Sequence, residues 1–441
     1  MHDMENQSWK DDTVTIPFGR PVLLFTLVFV LFGAFVRPIY ADTPHSSYQG
    51  MNWTSPDTTA TVKPKWTVAI DSPKDLNTIN AGTIASGEGK VFVFQHGRLL
   101  ALNAKTGKTL WAYGSKMISP IAYRDGVVYA ISEEGVLHAI QAINGKKKWA
   151  TASRTSGIAR LLVNGDKVYV YNGHIRAFDA KSGTLLWTDH FPNAYSDQDI
   201  QFAAGKVLVS TSFSGAYTYQ TLLAFNESNG QLAWEAPNAS APLYIQGNQI
   251  IVQRTSNLLD QLEKTTLDTI DTLSGKIVKT VEYEENGQAW IDSGHVYIFA
   301  AGVVYAYPLN AVPDQVARDS YRSDSAYKNF WAGGPDAGRI LFTDGDQITG
   351  SKLVNKSVVY YGSAGTQGTS IARFDTFGNG LYVAYSDGRL EAKDLITAKR
   401  VFVIQTKGRV FGPTLREDGM IIVQSQGSVN AVSEPALLKA K

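Results

Sequence analysis

Apolar residues along most of this chain recur in short runs with a period of two, and glycine, asparagine or aspartate punctuates the runs. Such alternation marks strands, whose successive side chains face opposite sides, and the punctuating residues tolerate the positive φ of tight hairpins. A turn followed by an alternating strand appears as GEGKVFVF from Gly87, RDGVVYAI from Arg124, NGDKVYVY from Asn164 and AAGKVLVS from Ala203. It returns as QGNQIIVQ from Gln246, SGHVYIFA from Ser293 and GNGLYVAY from Gly378.

A second phrase follows each of the first four: LLALNAKTGKTLW (99–111), LHAIQAINGKKKW (137–149), IRAFDAKSGTLLW (175–187) and LLAFNESNGQLAW (222–234). Aligned on Gly107, Gly145, Gly183 and Gly230, a tryptophan (Trp111, Trp149, Trp187, Trp234) falls four residues later. A small residue (Ala101, Ala139, Ala177, Ala224) falls six earlier. Gly275 continues the series in LDTIDTLSGKIVK, with Lys279 in place of the tryptophan, and Ala392 in LEAKDLITAKRVFV restores it. A period near forty with four strands per unit predicts an all-β chain, a β-propeller of four-stranded antiparallel blades.

Each blade must pack both faces on neighbours, so the recurring tryptophan is expected to fill the wedge between blades. Burying such a ring stabilises by roughly 2–3 kcal/mol. Eight blades are expected, within a range of seven to nine. The strand markers reach nine only if the weak matches at 302–309 and 348–355 count, and 310–362 fits the repeat worst, so one weak unit reads as an insertion. At the ends, Trp66 in KWTVAID and the two strands of MIIVQSQGSVNAVS (420–433) are expected to complete one blade and close the ring, which removes open edges.

The phrase A-x-D/N-x-x-T/S-G-x-x-x-W resembles the repeat of the pyrroloquinoline-quinone-like (PQQ-like) β-propellers, from about Trp66 to Ser433. That family includes quinoprotein alcohol dehydrogenases and binding scaffolds, among them the lipoprotein propeller of the outer-membrane β-barrel assembly machinery. Fold therefore leaves function open. The dehydrogenases of the family carry an adjacent cysteine pair over PQQ and a calcium site beside a catalytic aspartate. This chain has no cysteine, and no matching calcium constellation maps onto it. The lipid anchor of the assembly propeller also needs a cysteine. The reading is an extracytoplasmic, non-enzymatic scaffold that binds a protein or a cell-envelope polymer, with no cofactor. The alternative is a PQQ- and calcium-dependent dehydrogenase with a divergent site.

Charge sharpens this only by exclusion. Forty-one basic residues balance forty acidic ones, which gives no electrostatic footprint for nucleic acid. Near the N-terminus, PVLLFTLVFVLFGAFV (21–36) is uncharged and flanked by Arg20 and Arg37. Residues 1–41 read as a signal peptide or an uncleaved membrane anchor. Residues 42–65 read as a polar Ser/Thr/Pro linker, 66–433 as the propeller and 434–441 as a tail.

Candidate chemistry is sparse. The histidines (His2, His45, His96, His138, His174, His190, His295) show no metal-binding spacing, and no nucleophile elbow or phosphate loop appears. No catalytic, cofactor-binding or metal-ligating residue is assigned. His96 and His174, with Glu133 and Glu134 between them, fall in equivalent hairpins and are expected to be solvated. So is the acidic run Glu282, Glu284, Glu285. Tyr327, Phe330 and Trp331 read as blade core. Loop length is the clearer signal. Most turns are short, whereas the middle hairpins at 211–221 and 253–266 and the connection at 188–199 are long. These open on one face, and elaborated loops on a rigid scaffold are where binding resides. Tyr217, Tyr219, Leu258, Leu259 and Leu262, with Phe191 and Tyr195 nearby, are the expected partner surface.

Overall fold

The computed structural model describes residues 44–49, 61–71, 83–153, 160–189, 191, 197–214, 218–256, 262–323, 329–365 and 369–439. Among them are nine antiparallel sheets, taken here as blades 1 to 9: 84–113, 117–152, 160–188, 197–237, 239–283, 288–322, 331–363, 371–405 and 415–433. Blade 8 carries a fifth strand, Ser47–Gln49, and blade 9 takes Trp66–Ala69 as its fourth. The first strands of consecutive blades run beside each other, as Ile84–Gly87 does with Met117–Arg124. Fourth strands such as Leu232–Pro237 and Ile277–Tyr283 are largely exposed. First strands are therefore inner and fourth strands outer.

The core lies between blades. Each of nine apolar clusters draws on two consecutive sheets; one joins Phe92 and Leu99 of blade 1 to Ile121 and Val128 of blade 2. The ninth joins Ile422 and Val429 of blade 9, with Trp66, to Val91 and Leu102 of blade 1.

The recurring tryptophans sit at these joints. The indole Nε1 of Trp111 donates to the Ala142 carbonyl of the next blade at 2.9 Å, and Trp149 to Ala180 at 3.0 Å. Trp187 donates to Glu227 at 2.9 Å, Trp234 to Thr272 at 2.8 Å and Trp66 to Ala104 at 2.8 Å. Three residues past each acceptor stands the repeat glycine, its bare Cα under the indole. A Cβ at Gly145 would fall 2.7 Å from the Trp111 ring, and its φ of +71° lies in the left-handed region. Gly107, Gly183, Gly230 and Gly275 are placed alike against Trp66, Trp149, Trp187 and Trp234.

Nine blades replace the expected eight because the weak region is two complete sheets. Blades 6 and 7 keep their inner alternation (HVYIFA, VVYAYP, RILFT), which is enough to build strands, and 303–308 and 347–352 are both third strands. Only the joint signature has gone. Opposite Ala306 stands Asp319, which pairs with Lys356 at 2.8 Å, and Lys356 itself occupies the glycine position with φ +60°. At the joint of blades 7 and 8, Tyr361 substitutes: its buried hydroxyl donates to the Leu395 carbonyl at 2.6 Å. Phe402, opposite Ala392, packs the joint of blades 8 and 9.

Replacing Trp111, Trp149 or Trp187 by alanine is expected to cost about 3–5 kcal/mol of unfolding free energy, as large aromatic truncations in cores do. Gly145→Ala should cost at least about 1–2 kcal/mol from its left-handed backbone alone. Chemical denaturation checks both, and full stability in a Trp→Ala variant would refute the joint as a stabilising element.

Candidate functional site

The middle hairpins and the connections between blades open on the same face. Between blades 4, 5 and 6 that face holds a cleft of ≈ 460 Å³, walled by Gln220, Leu243, Arg254, Leu262, Lys264 and Gln288 among others. Its floor is rigid. Gln253 ties blade 5 to the next connection, donating from Nε2 to the Gly287 carbonyl at 2.7 Å and accepting from the Ala289 amide at 2.9 Å. Arg254 forks onto Asp268 at 2.9 and 2.8 Å, and the Thr280 hydroxyl donates to the same carboxylate at 2.7 Å. At the rim Asn286 donates to the Leu262 carbonyl at 2.8 Å, and Lys264 pairs with Glu284 at 2.6 Å. Guanidinium, ammonium, amide and aliphatic groups line the cleft.

Of the residues expected to form a partner surface, Leu262 lines this cleft. Tyr219 is not in a loop. The hairpin at 211–221 is an extension of the sheet, with strands Lys206–Ser214 and Thr218–Asn226 paired as far as Ser214 opposite Thr218. Alternating Thr, Ser and Phe continue the ladder there. Tyr219 lies against Phe213 (centroids 5.8 Å), and Phe191 stacks on Phe213 at 5.7 Å. Tyr217, Leu258, Leu259, Tyr195, His190, His2 and Tyr327 lie outside the described residues, as do the apolar run 21–36 and most of the linker.

The remaining candidates scatter. His174 pairs with Asp189 at 2.9 Å and Glu134 with Lys116 at 3.2 Å. His138 packs on Tyr113, hydrogen-bonded at 3.0 Å, and burial holds its pKa below the ordinary value. Trp331 packs on Phe374 while Phe330 is exposed. Glu285, expected to be solvated, is buried: it accepts from the Tyr307 hydroxyl at 2.7 Å and pairs with Arg318. A loop at 309–318 brings that arginine back over the strand end, which no local pattern announces.

A second site lies at the inner edge of blade 8, where Ser47, Tyr48 and Gln49 pair with Asp375, Phe374 and Arg373. This strand falls within the span read as linker. Ser47 bonds to Asp375 and Arg373, and Tyr48 stacks on Phe374 at 5.6 Å. His45 reaches across three blades. Its Nε2 lies 2.9 Å from Asp292 of blade 6 and its Nδ1 2.7 Å from Asp336 of blade 7, which also accepts from Thr376 of blade 8 at 2.7 Å. Both ring nitrogens face carboxylates, so both carry protons. The bonds to Asp292 and Asp336 outweigh burial and push the His45 pKa up to about 10. Burial of Asp292 acts upward, but the bonds from His45 and Ser293 hold its pKa below the ordinary value.

Four-stranded blades joined through a tryptophan, a carbonyl and a glycine define a PQQ-like β-propeller. The family described as outer membrane protein assembly factor BamB matches residues 53–171 and 95–309, more than half of the chain, and the chain belongs to that family. Among curated proteins it is similar to the dehydrogenase subunit of a quinone alcohol dehydrogenase from Gluconacetobacter polyoxogenes, 22% identical over 69% of this chain and 47% of that one. It is also similar to a tetrathionate hydrolase from Acidithiobacillus ferrooxidans, 24% identical over 39% of each chain. The chain spans less than half the length of these relatives. Among solved structures it resembles BamB from Moraxella catarrhalis, at 16% identity and TM-score 0.45 over 84% of this chain and 98% of that one. It likewise resembles a quinohemoprotein alcohol dehydrogenase from Comamonas testosteroni, at 13% identity and TM-score 0.44 over 83% and 76%. Among the described residues no group of three or more His, Asp or Glu side chains is arranged to hold a metal ion.

The raised His45 pKa gives a pH dependence of defined sign. The folded chain holds the proton more tightly than the unfolded one, so this contact contributes fully below about pH 6.5 and fades as pH rises through about 10. Hydrogen exchange at residues 46–49, corrected for intrinsic rate, should accelerate across that window. In His45→Gln protection should be weaker at neutral pH and flat; an unchanged profile in the variant would refute the His45 contact.

Proposed function

We propose that this chain is an extracytoplasmic scaffold that binds a protein of the cell envelope on the face carrying the cleft between blades 4, 5 and 6. The observation that carries the reading is the cleft itself: a braced floor, a rim of aliphatic and charged groups, and long connections on that face, while the opposite turns are short except at 309–318 of blade 6. Membership of a family described by outer-membrane assembly supports a protein partner, and it supports an extracytoplasmic site with the apolar run 21–36 as leader or anchor. We further infer that the two chain ends join the ring. Trp66–Ala69 pairs with Ser428–Ser433, and Trp66 docks on blade 1.

A second reading, a quinone-dependent dehydrogenase, is favoured by the curated matches along the chain. It is separable by a visible spectrum of the protein mixed with PQQ and calcium, followed by a dye-linked alcohol oxidation assay. The scaffold reading expects neither a bound-cofactor spectrum nor turnover, and either one at stoichiometric loading would replace it.

Binding is tested by capture from a cell-envelope extract, then titration of the captured protein against the wild type and a Leu262→Ala/Lys264→Ala variant. Both side chains stand at the rim, so the variant should melt as the wild type does and bind at least about tenfold more weakly, roughly 1.4 kcal/mol. Equal affinity would move the partner surface elsewhere. Deleting 65–71 should lower the melting temperature and promote aggregation through the strand edge left on blade 9. An unchanged melting temperature would overturn the joining role of Trp66.

A further inference from the structure

At five joints a fourth-strand indole lies on its own sheet and donates to a carbonyl of the next blade, whereas Trp290, on the first strand of blade 6, reaches the Gly334 carbonyl of blade 7 from the inner side. At the joint of blades 5 and 6 the indole and the tight turn beneath it are both missing. The residue in register is Lys279, opposite Thr269, as Trp111 is opposite Ala101. The tight turn that should receive it is replaced by the loop 309–318, with a single 3-10 turn at Pro313–Gln315. The acceptor, however, is retained. The Leu309 amide donates to the Gly294 carbonyl as the Ala142 amide donates to Gly126, so the Leu309 carbonyl stands where Ala142 offers its own to Trp111.

An open cleft of ≈ 380 Å³ lies in that place. Its floor is the row Ile251, Thr269 and Lys279, which matches the row Phe92, Ala101 and Trp111 in blade 1. Leu309 and Val296 of blade 6 form the facing wall. The volume is at the low end for small-ligand pockets, roughly 300–1,000 Å³. Val278 at its edge is 54% exposed.

We propose that this cleft is a recognition slot for a tryptophan side chain presented by a partner polypeptide. The occupant follows from what the scaffold does elsewhere: five times, the same backbone geometry holds an indole and accepts its N–H. Lys279 on the floor supplies a cation that can lie over the face of an entering ring, a contact strongest with tryptophan. The slot lies beside the short turn at 246–249 and the start of the loop 309–318, and its lining shares no residue with the cleft on the elaborated face. This inference therefore goes beyond the proposed scaffold function and stands or falls separately.

The test uses the full chain and N-acetyl-tryptophanamide, read by saturation-transfer NMR, with N-acetyl-leucinamide as control. The wild type should transfer saturation to the indole protons and not to the leucine methyls, and the exposed truncation Lys279→Ala should retain a signal. In Lys279→Trp the chain's own indole should fill the slot, abolish the signal and raise the melting temperature. Thr269→Phe, which fills the slot from its floor, provides the same loss independently if Lys279→Trp fails to fold. Absence of transfer in the wild type, or equal transfer in a folded slot-filled variant, would overturn the proposal.

Discussion

The structure depends on one contact repeated between neighbours: an indole laid across a wedge, its N–H on a carbonyl of the next blade and its ring over a glycine. A four-stranded blade is apolar on both faces and cannot satisfy either alone. The contact solves three problems together. It fills the wedge that opens toward the outer strands, pairs the indole N–H on burial, and sets the distance between sheets through a residue with no Cβ. Because each tryptophan reaches only the following blade, the ring is coupled by nearest neighbours, as in linear repeat arrays.

That coupling also explains where the molecule departs from its own rule. From blade 9 through blade 5 the joints are alike. Beyond blade 5 each differs: a vacated slot beside Lys279, the ion pair of Asp319 with Lys356, the hydroxyl of Tyr361, the ring of Phe402. Both clefts lie at blade 5, where the repeat first lapses. Blade 8 buries a ladder of Arg389, Glu391 and Lys393, with Glu391 3.0 Å from Arg389 and 2.6 Å from Lys393. Desolvation opposes the Glu391 charge, and its basic neighbours overcome this and hold its pKa low. A ladder of that kind favours one register of packing more than it adds stability.

Scaffold and chemistry separate cleanly in such a fold. The joints make a rigid body, and the segments that escape them, the hairpin beyond Gln253, the connection through Asn286 and the strand at Ser47, are free to be specialised. The first two frame a surface of mixed polarity; the third occupies the inner edge of a blade and is held by a doubly hydrogen-bonded imidazolium. The relatives span a dehydrogenase, a hydrolase and an assembly factor, which is what a framework defined by its joints alone would support.

Local physics made the blades legible in the amino-acid order: alternation specified strands, Gly and Asn specified turns, and the Gly-to-Trp spacing specified how units join. The count failed where Asp319 and Lys356 replaced the signature while VVYAYP and RILFT still built strands, because pairing needs only alternation and a joint needs a particular ring. The extension of blade 4 escapes local pattern for a related reason: Tyr219 sits in a stretch too polar to look like strand, yet its partner ladder continues beneath it. The burial of Glu285 under Arg318 and the bridging of Asp292 and Asp336 by His45 left no local trace. His45 meets Asp336 across 291 residues, and only the pairing of strand Ser47–Gln49 with blade 8, packed beside blade 7, brings them together. Sequence determined the elements and their mode of stacking; tertiary structure decided the number of blades, the slot left where a tryptophan is missing, and the strand that lies inside the ring, because each depends on which distant edges are left without a neighbour.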